Sequence, residues 1–143
     1  MEYTRVMQTH GSTIFMRPMR PDEFPSWRAR FVSDWAQDLE RIEDLTAPGA
    51  ALEAERRVAA DLPHGIATAD HYLFVIEEGA AGVGVAWLSV NGNRAFLDDL
   101  TIEPLARGRG YGEAALGLVE SELRGRGLGH LDLHVYADNA AAI

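Results

Sequence analysis

The sequence predicts an α/β domain of the α+β kind, with one mixed, mostly antiparallel sheet flanked by helices. Three observations predict it. Apolar residues recur at helical spacing from Phe24 onward. Three strand-like runs joined by short turns follow between His71 and Glu103. The third run leads into a glycine-rich loop, then one more helical stretch and one more strand. A long crossover between two strands is what a parallel pair needs, whereas the short turns require antiparallel neighbours.

Thr13–Met19 reads as a short strand, alternating Ile14 and Met16 with Phe15 and Arg17. Arg20-Pro21-Asp22-Glu23 suits a helix start, and Trp27, Phe31, Trp35, Leu39 and Ile42 mark the apolar stripe of the helix that follows. Thr46-Ala47-Pro48-Gly49 breaks it. A second, alanine-rich helix spans Ala50–Leu62, carrying Leu52, Val58 and Leu62. His71–Glu77 is a strand, Glu78–Gly82 a hairpin turn, and Val83–Val90 its antiparallel partner. Asn91-Gly92-Asn93 is a second hairpin signal, and Arg94–Glu103 the next strand. Gly110–Arg126 has the apolar pattern of a helix. His130–Tyr136 is a strand with Leu131, Leu133 and Val135 on one face and His130, Asp132 and His134 on the other. An exposed polar face explains that second set more economically than a metal site, so no metal is expected. Ala137–Ile143 begins a further helix.

At 143 residues the chain is expected to be one domain, able to bury about two-thirds of its unfolded surface. No apolar run approaches the ~20 residues of a membrane helix, and Met1–Ser12 lacks the apolar core of a signal peptide. The cytoplasm is the expected location. The chain has no cysteine, which excludes disulfides and thiolate chemistry. All 13 basic side chains are arginine, which excludes a lysine base or Schiff base. A net charge of −9 disfavours nucleic acid and suits a cationic acceptor such as an amine.

Against that acidic background stands Pro104-Leu105-Ala106-Arg107-Gly108-Arg109-Gly110-Tyr111-Gly112. Glycines let main-chain N–H groups approach a ligand, and a helix that opens there adds unpaired N–H groups and a positive dipole end. Together they form a socket for phosphate or diphosphate. Gly110-x-Gly112-x-x-Ala115 also fits a relaxed dinucleotide-binding pattern, but such a loop follows its strand at once and needs further strand–helix repeats. The spacing Arg107-x-x-Gly110-x-Gly112 resembles the acetyl-CoA loop of the GCN5-related N-acetyltransferase (GNAT) superfamily. The resemblance extends from about Thr13 to Ile143, because the order of elements matches that family as well.

The resemblance implies an N-acetyltransferase that moves an acetyl group from acetyl-CoA to a primary amine of a small molecule or peptide by direct attack. A non-catalytic CoA-binding or interaction module of the same fold is the alternative. Main-chain groups of Leu100 and Ile102 would pair with the pantetheine arm. Amides from Arg107 through Gly108, Arg109 and Gly110 to Gly112 would hold the diphosphate, assisted by the arginine side chains. Asn139 matches an asparagine that reaches the pantetheine in relatives, and it also suits a plain helix N-cap. Asp98 and Asp99, read as lying on opposite faces of one strand, are the candidates for accepting the amine's proton. The first helices border the acceptor site in this family, so a tryptophan there either anchors its helix or lines a pocket. The family continues past Asn139 with a helix bearing a tyrosine acid and then a hairpin. Neither Tyr136 nor Tyr111 matches that tyrosine, so the domain is expected to be C-terminally incomplete. A homodimer with exchanged C-terminal elements is one expected remedy.

Overall fold

A computed structural model describes residues 5–9 and 12–133. Asn139, Tyr136, His134 and the final helix start lie outside the described residues. The chain divides into two compact units, one spanning Met19–Ala69 and the other comprising the residues before and after it.

In the sheet unit, alternation sets the faces. Strand β2 (Ser12–Pro18) buries Ile14 and Met16 on one side. It pairs with β3 (His71–Glu78), which pairs with β4 (Ala81–Asn91), which pairs with β5 (Arg94–Ile102), all antiparallel. β6 (His130–Leu133) lies parallel to β5, matched to it from Arg94 to Leu97. One strand was not foreseen. β1 (Arg5–Thr9) pairs antiparallel with β2, with Thr9 opposite Ser12, and completes the order β1-β2-β3-β4-β5-β6. Its side chains alternate too briefly to announce a strand, and its hydrogen bonds depend on main chain alone.

Helix α3 (Tyr111–Gly125) is the crossover that the parallel β5–β6 pair requires. Its apolar stripe, with Ala115, Leu118, Val119 and Leu123, joins Met16, Ile76, Leu88 and Leu97 in the core. Both ends of α3 are fastened to β3. The Tyr111 hydroxyl donates to Glu78 Oε2. Arg126, just past the other end, stacks its guanidinium 4.0 Å from the centre of the Tyr72 ring. Arg126 Nε also donates to Glu122 Oε2 at 2.7 Å, which gives that buried carboxylate its countercharge. Gly84 permits β4 and β5 to meet: a Cβ there would stand 2.6 Å from the Thr101 carbonyl oxygen and 2.9 Å from Ile102 Cδ1.

The other unit holds α1 (Phe24–Ile42) and α2 (Ala47–Asp61). The aromatic residues of α1 form a ladder, with ring centres 5.7 Å apart for Phe24 and Trp27, 5.2 Å for Trp27 and Phe31, and 5.6 Å for Phe31 and Trp35. Trp27, Phe31, Trp35 and Leu39 are buried, as the periodicity implies, whereas Ile42 is 56% exposed at the helix end. In α2 the buried stripe is Ala50, Ala54 and Val58, and Leu52 is 74% exposed. Small side chains let α2 approach α1, where Arg28 grips Glu55 through both guanidinium branches at 2.9 and 2.8 Å. Arg57 bonds Glu43 in the same way at 3.1 Å. Hydrogen bonds from Arg56 and Arg57 hold the Glu53 carboxyl down at about 2.

Thr46-Ala47-Pro48-Gly49 opens α2 rather than breaking α1, which has already ended at Ile42. The Thr46 hydroxyl accepts the Gly49 N–H at 3.2 Å, and Pro48 sits in the first turn of α2, where its missing N–H costs nothing. Thr46→Ala should therefore lower stability by about 1 kcal/mol in chemical denaturation, and an unchanged midpoint would show the cap to be idle.

Candidate active site

The site is built where β5 hands over to α3. Glu103 N–H still donates to the Val83 carbonyl at 2.8 Å, so the strand is held to β4 one residue past its end. Pro104–Ala106 then make one 3₁₀ turn, closed by Ala106 N–H to Glu103 O at 2.9 Å and Arg107 N–H to Pro104 O at 3.3 Å. Gly108 and Gly110 both take φ +79°, a left-handed conformation that costs other residues about 1–2 kcal/mol. α3 begins at Tyr111, and its first full-turn bond is Ala114 N–H to Gly110 O at 3.1 Å.

That construction leaves the N–H groups of Gly108, Arg109, Gly110, Tyr111, Gly112 and Glu113 without an acceptor among the described residues. Gly110 occupies the N-cap, so no side chain there competes for them. Unpaired amides at the positive end of a helix dipole form an anion socket. Arg107 and Arg109 are exposed beside it, with Glu113 the one acid in the first turn of α3. The Arg107 side chain is already engaged: its Nε–H donates to the Ile102 carbonyl at 2.9 Å.

Successive strand residues direct their N–H and C=O groups to alternate sides. Since Glu103 turns to β4, Leu100 and Ile102 turn to the other edge. Among the described residues β6 is matched to β5 from Arg94 to Leu97, and no described strand pairs with β5 on that side at Leu100 and Ile102. A ligand with amide groups can add itself as a strand along that edge.

The two aspartates differ from the sequence expectation. Leu88 pairs with Leu97 and Trp87 with Asp99, so Asp98 is the extra residue of a β-bulge with no cross-strand partner on β4. Leu97 and Leu100 both face the core. Each aspartate adjoins one of them, so both turn from the core face rather than lying on opposite faces. Asp99 is 2% exposed and its carboxylate accepts the Thr101 hydroxyl at 2.9 and 3.0 Å. Its register partner Trp87 donates from Nε1 to His71 Nδ1 at 3.0 Å. Asp98 is half-buried, with Oδ2 shut off from solvent. The bulge had a signal in the sequence: the spacing of three between Leu97 and Leu100, where alternation demands two.

On β6, Asp132 is paired with Arg94 at 2.6 Å. The described residues hold no group of three His, Asp or Glu side chains able to bind one. No helix among them is long and apolar enough to cross a membrane. The antiparallel sheet also removes the dinucleotide reading, which needs successive parallel strand–helix units.

A bulged strand running into a main-chain anion socket is the arrangement expected of an acyl-CoA-dependent N-acyltransferase. Comparison with known proteins agrees. The model of the "Acetyltransferase (GNAT) family" matches residues 26–143, and the chain belongs to that family. It is 27% identical over 136 residues to YycN, an uncharacterised N-acetyltransferase of Bacillus subtilis (strain 168), covering 91% of this chain and 86% of that protein. The crystal structure of YycN superposes with a TM-score of 0.83 over 90% of this chain and 85% of that one. A mycothiol acetyltransferase of Clavibacter michiganensis is 36% identical over 117 residues, which are 79% of this chain and 38% of that protein. An N-acetyltransferase of Thermoplasma acidophilum, determined in complex with coenzyme A, shares the fold at 17% identity, with a TM-score of 0.57 over 89% of this chain and 82% of that one.

Proposed function

We propose that this chain transfers the acetyl group of acetyl-CoA to a primary amine of a small molecule or peptide, by direct attack of the amine on the thioester. The observation that carries the reading is the run of amides from Gly108 to Glu113, which have no acceptor among the described residues, at the end of β5. The amides hold the diphosphate. Leu100 N–H and C=O, with Ile102 N–H, pair with the amide groups of the pantetheine arm. That arrangement directs the thioester toward the bulge.

Asp98 accepts the proton. The amine nitrogen forms a bond to the carbonyl carbon, the C–S bond breaks with its electron pair going to sulfur, and the nitrogen's proton passes to the Asp98 carboxylate directly or through one water. The thiolate takes a proton from solvent. Asp99, fixed by Thr101, adds negative charge that favours a cationic acceptor. Asn139, outside the described residues, is the proposed further contact to the pantetheine.

Free-thiol release from acetyl-CoA across a panel of primary amines tests this. Amine-dependent release is expected. Tight binding of CoA with no release for any amine would favour a binding module of the same fold, and no binding of CoA would remove the reading altogether.

A further inference from the structure

We infer that Arg107 is a positioning residue that works through the Ile102 carbonyl. The inference deepens the proposed function and rests on it. The Ile102 C=O points away from β4, and Arg107 is the donor that the described residues give it. Arg107 Nε–H takes that acceptor at 2.9 Å and so closes a ring over Glu103 and the 3₁₀ turn. Glu103 N–H to Val83 O fixes one side of this ring, and the two turn bonds fix its floor. Arg107 is therefore the last tethered residue before Gly108, the first of the unpaired amides.

This tie sets where the socket stands relative to the strand edge, and hence whether one ligand reaches both. It is a bond between a side chain and main chain, indifferent to the ligand's charge. It also fixes the guanidinium plane through Nε. Arg109 differs: it is exposed and has no hydrogen-bond or ion-pair partner among the described residues.

Three variants separate positioning from charge. In Arg107→Gln the amide nitrogen lies as many bonds from Cα as Nε does, so the donor is kept and the charge removed. Arg107→Met has the same length and no donor. Each is titrated with acetyl-CoA and with S-acetylpantetheine, which carries no phosphate. Amide hydrogen exchange across 103–113 is followed in the free protein. Arg107→Met should weaken both ligands about tenfold and speed exchange in the loop. Arg107→Gln should restore both readouts to within about threefold of the parent. Arg109→Gln should weaken acetyl-CoA alone. The inference is overturned if Arg107→Gln is as impaired as Arg107→Met with the loss confined to acetyl-CoA, or if exchange in Arg107→Met is unchanged. Should the parent bind no acetyl-CoA, the proposed function fails, and the exchange readout still decides whether the tie exists.

Discussion

Asp98→Asn should cut turnover about a hundredfold while leaving the affinity for acetyl-CoA as it was. The substitution keeps size and shape, so the bulge is preserved. What it removes is the charge and basicity of the carboxylate proposed to receive the amine's proton. Asp98 suits that work because the bulge sets it out of register with β4, and half-burial leaves it within reach of a ligand. Asp99 does not suit it: it is enclosed and held by Thr101. Asp99→Asn should therefore lower the melting temperature more than it lowers kcat. Steady-state kinetics with saturating amine decides. An Asp98→Asn enzyme with undiminished kcat, or one whose loss lies wholly in KM for acetyl-CoA, would move the base elsewhere.

Gly84→Ala should lower unfolding stability by about 3 kcal/mol. The new methyl would press on a main-chain oxygen 2.6 Å away, and that atom belongs to the ladder joining β4 to β5. A flexible side chain could swing aside, but a carbonyl in a sheet moves only with its strand. The loss is a large share of what a domain of this size has to spare. Urea denaturation measures it, and a midpoint equal to that of the parent would mean that the two strands separate freely there. Because Thr101 and Ile102 flank the site, the variant that remains folded should also bind acetyl-CoA less tightly.

Much of this was legible beforehand because the physics is local. The Trp27, Phe31, Trp35 and Leu39 stripe needs only a 3.6-residue period. The hairpins at Gly79 and Gly92 need only turn chemistry, and the Gly108–Gly112 loop needs only the absence of side chains. What depended on distant partners was not legible. β1 is recognised by β2's main chain rather than by its own pattern. The side of α2 that is buried follows from helix-to-helix spacing, which selected Ala50, Ala54 and Val58 over the more apolar Leu52. The bulge reversed the reading of Asp98 and Asp99 because one inserted residue shifts every face after it. No sequence pattern shows that Ile102 presents a carbonyl within reach of Arg107.

The two fastenings of α3 have a mechanical meaning. Tyr111 and Arg126 are separated by about 22 Å of helix at 1.5 Å per residue. Their anchors, Glu78 and Tyr72, are separated by about 20 Å of strand at 3.3 Å per residue. Helix and strand are thus matched beams pinned at both ends. A load applied at the mouth of the socket cannot rotate the helix without opening a joint at its far end, so the amide array meets its ligand as stiff masonry rather than as a hinge.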